Sequence, residues 1–216
     1  MQNSRGFQEI KRTQDSQQRR KIQEISRDYL RNATYRYLER YATSEANLRK
    51  VLLNKVARRT REVPVSPEAM REISSWIDEI IATCRKMGMV DDRFYAESRA
   101  RTLIRRGNSR LKIFQKLRAK GLPSALIEEV LTDLQEEMAL QEEMADPELV
   151  AAIKYVRRRR FGPFSGAQTD EQQTQKQMAA MARAGFSYDM AQKVLGASRE
   201  TLEDLLYASS AMGSSS

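Results

Sequence analysis

Residues 116–131 read KLRAKGLPSALIEEVL and residues 180–195 read AMARAGFSYDMAQKVL. Laid one on the other without a gap, at an offset of 64 positions, they match Gly121 to Gly185, Leu122 to Phe186, Val130 to Val194 and Leu131 to Leu195. Both stretches stop a helix at glycine, turn through one large apolar residue and restart at Pro123 or Ser187. Glycine tolerates the left-handed backbone that closes a helix, and the apolar residue just after it folds back against the preceding turns. A second overlap, at offset 65, places LERYATSEANLRKVLLNK (38–55) on LIRRGNSRLKIFQKLRAK (103–120), with Ser44 on Ser109 and Leu52 on Leu117. The two overlaps predict one three-helix unit used three times.

Reading outward at helical spacing fills in the rest. A first helix is expected from about Lys21 to Ala42, and a second from the cap at Thr43 or Ser44. Ser66 and Pro67 open a third, with Met70, Ile73, Ile77, Ile80, Ile81 and Cys84 on its apolar stripe and Gly88 as its stop. Asp91 caps a fourth helix that ends at Gly107, Asn108 or Ser109 caps a fifth, and Pro123 begins a sixth. Asp146 and Pro147 start a seventh, Thr169 with Gln172 predicts a capping box for the eighth, and Ser187 caps the ninth. A short polar tenth helix is expected over 198–206. The pentapeptide QEEMA occurs twice in 135–145, as an extension of the sixth helix or a loop from it. No β-alternating run interrupts this pattern, so the fold is expected to be all-α: three tandem three-helix repeats in an elongated, curved array.

The domain boundaries that follow are a polar N-terminal tail (1–20), repeats over 21–90, 91–145 and 146–197, and a short polar helix with a flexible tail (198–216). The chain has 216 residues, 40% hydrophobic and 31% charged, enough for one modest core or a row of small ones. Its longest apolar runs fall far short of the roughly 20 residues of a membrane span, and no apolar signal core stands near Met1, so no membrane is expected. One cysteine fits a reducing compartment. The lack of histidine removes the commonest general base and metal ligand, and no phosphate-loop spacing is present. Neither catalytic residues, a cofactor nor a metal site is expected, and Cys84 reads as a core thiol.

Charge is segregated by helix position. The net charge is +9. Projected at 100° per residue, the fourth helix sets Ala96, Ala100, Leu103 and Ile104 against Arg99, Arg101, Arg105 and Arg106. Further basic side chains fall on the first and second helices of the later units: Arg110, Lys112, Lys116, Lys154, Arg157, Arg158, Arg159 and Arg160. The third helices are acidic instead, with Glu68, Glu72, Asp78, Glu79, Glu128, Glu129, Asp133 and Asp189. A DNA-reading helix-turn-helix would place the basic member in the groove, and here that member is rich in Glu. The twelve basic residues are therefore expected to form a surface for phosphates or for an acidic protein.

MVDDRFYAESRARTLIRRG (89–107), followed by SRLKIFQKLRAKGLPSALIEEVL (109–131), resembles the central signature of the RecX regulatory proteins. YLERYATSEANLRKVLLNKV (37–56) is similar to that family's first repeat and MARAGFSYDMAQKVL (181–195) to its last, so the likeness spans about 28–196. It implies a bacterial, cytoplasmic and non-enzymatic regulator that binds RecA and the RecA filament on single-stranded DNA, and a monomer is expected. Such a protein would inhibit ATP hydrolysis, strand exchange and coprotease activity, and so act in recombination, repair and the SOS response. The reading from charge alone is an autonomous basic DNA-binding protein, which would bind bare DNA tightly and with strong salt dependence; the RecA regulator is expected to contact DNA directly only weakly.

Overall fold

The computed structural model describes residues 25–61, 65–140, 146–166 and 170–211. The expected N-terminal tail, the second QEEMA copy and Thr169 lie outside them. Every regular element among the described residues is helical, and the chain divides into two compact units, through Tyr95 and from Ala96.

The first unit holds α1 (Arg27–Leu38), α2 (Glu45–Arg59) and α3 (Pro67–Lys86). Each begins at a serine, Ser26, Ser44 or Ser66, whose hydroxyl accepts the N–H three residues on at 3.0–3.2 Å. Such a cap satisfies a helix-end donor and is worth about 1 kcal/mol. The expected first helix was longer at its end: after Leu38 the N–H groups of Arg40 and Tyr41 both turn back to the carbonyl of Tyr37. That tightening delivers Thr43 and Ser44, which are both buried, to the start of α2. The core joins Leu30 of α1 and Leu48, Leu52 and Val56 of α2 to Ile73, Ile77, Ile80, Ile81 and Cys84 of α3. Trp76 is half-buried against this core.

From Asp92 onward run α4 (Asp92–Arg105), α5 (Arg110–Arg118), α6 (Ser124–Leu140), α7 (Pro147–Arg159), α8 (Glu171–Arg183), α9 (Tyr188–Gly196) and α10 (Arg199–Ala211), with a 3-10 turn at Gly162–Phe164. Asp91 caps α4 through the N–H of Phe94 at 3.0 Å. Helix α6 runs through the first QEEMA copy. The eighth helix is capped by Asp170, whose carboxylate takes the N–H of Gln173 at 2.6 Å, so the capping residue is one later than the Thr169 expected. Helix α10 runs longer than expected and is amphipathic: Leu202 and Leu206 enter a core with Ile153, Val156, Met181, Phe186 and Val194. The short helix expected over 198–206 is present, but it is not polar: Leu202 and Leu206 are buried and Leu205 packs against the same core.

The Gly121 and Gly185 turns follow the repeat, and Gly107 closes its helix with the same geometry. Gly107, Gly121 and Gly185 have φ of +70°, +81° and +93°. After each, the next residue's N–H reaches back to a carbonyl in the last turn of the helix, Asn108 to Leu103, Leu122 to Leu117 and Phe186 to Met181. Leu122 and Phe186 are buried, as the repeat requires. Helix α7 ends in the same way with no glycine. Arg160 takes φ +55°, ψ +48°, and Phe161 bonds back to the carbonyl of Val156 at 2.9 Å.

Candidate functional site

On α4 the side chains of Tyr95, Ala96, Ala100 and Leu103 are buried, which leaves Arg99, Arg101, Arg105 and Arg106 exposed. Gly107 then turns the chain against α7. A Cβ on Gly107 would stand 2.8 Å from the Cβ of Lys154, so only glycine permits both the approach and the left-handed φ. Through this contact the α4–α5 turn and the basic end of α7 meet: Nη1 of Arg158 donates to the carbonyl of Arg106 at 3.3 Å. On the other side of the turn, Nζ of Lys116 donates to Oδ1 of Asn108 at 2.7 Å. Ser109 Oγ donates to the carbonyl of Ala184 at 2.6 Å, bringing up the end of α8.

The result is a concentration of cations drawn from α4, α5 and α7. Burial and then the charges of Lys112, Arg106, Arg99 and Arg158 push the Lys116 ammonium below its ordinary value. A groove of about 310 Å³ opens beside them, lined by the Gly107–Ser109 turn and by Lys112, Arg158, Arg159 and Arg183, and among the described residues no carboxylate lines it. The Tyr155 ring forms part of its wall, with the guanidinium carbons of Arg158 and Arg159 at 5.8 and 5.9 Å from the ring centre. Repulsion of this kind is relieved by an anion. Guanidinium groups take phosphate or carboxylate oxygens in pairs, and an ammonium takes them as a point charge.

The twelve predicted basic residues divide into distinct sets. Arg99, Arg106, Lys112, Lys116 and Arg158 come together, with Arg159 on the groove wall. Arg101 is held instead by Glu137 of α6, at 3.1 and 2.5 Å, and that hydrogen-bonded pairing raises the arginine's pKa and lowers the carboxylate's. Arg110 bonds Glu128 of α6 at 2.8 Å and also reaches Thr132 and Gln135. Lys154 packs its stem at Gly107, while Arg105, Arg157 and Arg160 are exposed. The segregation of charge thus has a structural use: acidic third helices answer basic first and second ones. The first unit repeats it, with Arg27 on Glu79 and Arg49 on Asp78 at 2.7 and 2.8 Å. Arg183 is the groove cation that the repeat did not reveal, because Ala119 stands at the equivalent place in the preceding repeat.

Residues 91–131 match the family model for the second three-helix domain of RecX, and residues 146–195 the model for the third. A regulatory protein RecX from Myxococcus xanthus is 32% identical over 196 residues, covering 90% of this chain and 97% of the relative. The chain belongs to the RecX family of regulatory proteins. A second RecX, from Agrobacterium fabrum, is 32% identical over 176 residues, covering 81% of this chain and 85% of its own. Among solved structures, a crystal structure of regulatory protein RecX aligns with a TM-score of 0.53 at 20% identity, over 79% of this chain and 72% of that one. RecX from Lactobacillus salivarius aligns at 0.50 and 18%, over 87% and 97%. At those identities the likeness speaks to the all-α fold of repeated three-helix domains. The family is one of regulators, and no described helix is long and apolar enough to cross a membrane.

Proposed function

We propose that this chain binds RecA and its filament on single-stranded DNA and inhibits the filament's ATPase, strand-exchange and coprotease activities. It acts as a monomeric, cytoplasmic, non-enzymatic protein in recombination, repair and the SOS response. Family membership supports the partner. The observation that carries the mode of action is the cluster of Arg99, Arg106, Lys112, Lys116 and Arg158, which gathers positive charge without a carboxylate in the adjoining groove. A nucleoprotein filament offers phosphates flanked by protein, so a cationic face presented on the backbone of three helices engages it by ordering side chains alone, with no loop to fold.

The test is a titration of purified protein into RecA turning over ATP on single-stranded DNA, beside binding to the same DNA alone. Inhibition near stoichiometric protein with weak binding to bare DNA supports the proposal. Tight, strongly salt-dependent binding to bare DNA with no effect of RecA would favour an autonomous DNA-binding protein, the reading that the same cluster also serves.

A further inference from the structure

The second unit carries a second concavity with the opposite electrostatic character. A groove of about 590 Å³ has apolar walls from Ile104, Leu111, Phe114, Met138 and Met190. Leu111 is 51% exposed, and the other four are half-buried. Exposed apolar surface of this kind, with two methionines that repack easily, suits a binding surface better than a solvated one.

Among the described residues its rim carries Glu128, Asp146 and Glu148 against the single cation Arg110. That cation is already engaged, since its guanidinium bonds Glu128 at 2.8 Å. Asp146 and Glu148 stand close enough for the charge of one to oppose ionisation of the other. On a chain of net charge +9, a groove with three carboxyl groups to one guanidinium repels phosphate and attracts a cation beside its apolar walls.

We infer that this groove holds a segment of a protein partner in which a large apolar side chain stands beside a lysine or arginine. The apolar side chain fills the space between Phe114, Met138 and Met190, and the cation meets the rim carboxylates. The inference rests on the proposed function only for naming the partner as RecA. The two concavities of the unit then divide the work, the basic groove taking phosphate and the acidic-rimmed one taking protein.

The test needs no partner to begin. With methionine methyl groups labelled for NMR, the dipeptide acetyl-Phe-Lys-amide is expected to shift the Met138 and Met190 signals at millimolar concentration. Acetyl-Phe-Glu-amide should bind at least fivefold more weakly. Leu111→Ser should weaken both, and Glu128→Lys should erase the preference between them. Both variants change exposed side chains, and unaltered helical circular dichroism checks that they fold. In the second arm, the same variants should bind DNA-free RecA at least fivefold more weakly than wild type. Equal shifts with both dipeptides, or shifts absent from Met138 and Met190, overturn the inference whatever RecA does. A dimer in sedimentation that Leu111→Ser abolishes would assign the groove to a second copy and overturn it as well. If the dipeptides discriminate as expected while wild type ignores RecA and its filament, the groove stands and the proposed function fails.

Discussion

The backbone N–H of Arg110, first residue of α5, donates a 3.0 Å hydrogen bond to Oε2 of Glu148 in the first turn of α7. In the other unit the N–H of Glu45, first residue of α2, donates to Oδ1 of Asp92 in the first turn of α4 at 2.8 Å. Glu45 and Arg110 are equivalent positions under the 65-residue offset, so the same staple appears twice. An acid from a following helix takes a donor that the second helix of a repeat leaves unsatisfied at its N-terminus. Burial raises the pKa of both acids, opposed in each by that hydrogen bond.

These staples have a predictable pH signature. A carboxyl whose folded pKa is raised holds its proton more tightly in the native state than in the unfolded one. Its contribution to stability is therefore full below the ordinary carboxylate range and lost as pH rises through the raised value. Glu148→Gln keeps an oxygen acceptor without the buried charge. It should be at least as stable as wild type at pH 7–8, with the difference shrinking on acidification. Glu148→Ala leaves the Arg110 donor unmet and should cost about 1–3 kcal/mol. Urea unfolding across pH 5–8 checks both, and a Glu148→Gln variant less stable than wild type at pH 8 would contradict the assignment.

Gly185 should resist substitution. Its φ is +93°, and an added Cβ would stand 2.6 Å from Ser109 Oγ and 3.0 Å from Leu111 Cβ. Gly185→Ala thus combines a left-handed penalty with displacement of the bond from Ser109 to Ala184. A loss of roughly 2 kcal/mol is expected in denaturant unfolding. Gly196, with nothing within 4 Å of an added Cβ and an ordinary φ, is the control and should tolerate alanine.

Arg160 makes the opposite case. A non-glycine residue at φ +55° closes α7, so Arg160→Gly should raise stability by up to about 1 kcal/mol. If the cationic end of α7 serves the filament, that variant should also inhibit RecA less well. More stability with less activity is the combination to look for in paired melting and ATPase measurements.

Cys84 is 1% exposed on the core side of α3, and burial pushes its thiol pKa up. A thiol reagent at pH 8 should therefore label it only as fast as the first unit opens. Labelling should accelerate by orders of magnitude in unfolding denaturant. Fast labelling of the native protein would contradict the packing described.

Much of this was legible in the sequence. The offset of 64 located Gly121 and Gly185 as helix stops and Leu122 and Phe186 as core residues, and helical spacing located Gly107, because helix punctuation and burial are local properties. Charge was harder. Sequence distinguishes an exposed arginine from a buried one, but Arg101 and Arg106 look alike until α6 brings Glu137 to the first and α7 brings Arg158 to the second. Glu148 shows the same limit: in DPEL it reads as an ordinary first-turn acid, and its role depends on a helix end 38 positions earlier. The left-handed Arg160 carries no local signal at all, since four arginines in a row give no hint of which one stops the helix.

The central claim is that the clustered cations of the second unit, rather than net charge, engage the filament. It is tested by titrating two charge-matched variants into the single-stranded-DNA-dependent ATPase of RecA. One carries Arg99→Glu, Arg106→Glu and Arg158→Glu; the other carries Arg36→Glu, Arg58→Glu and Arg61→Glu on the first unit. The account predicts that the first variant needs at least tenfold more protein for half-inhibition, while the second stays within about threefold of wild type. Equal loss in both variants, or none in the first, would contradict it.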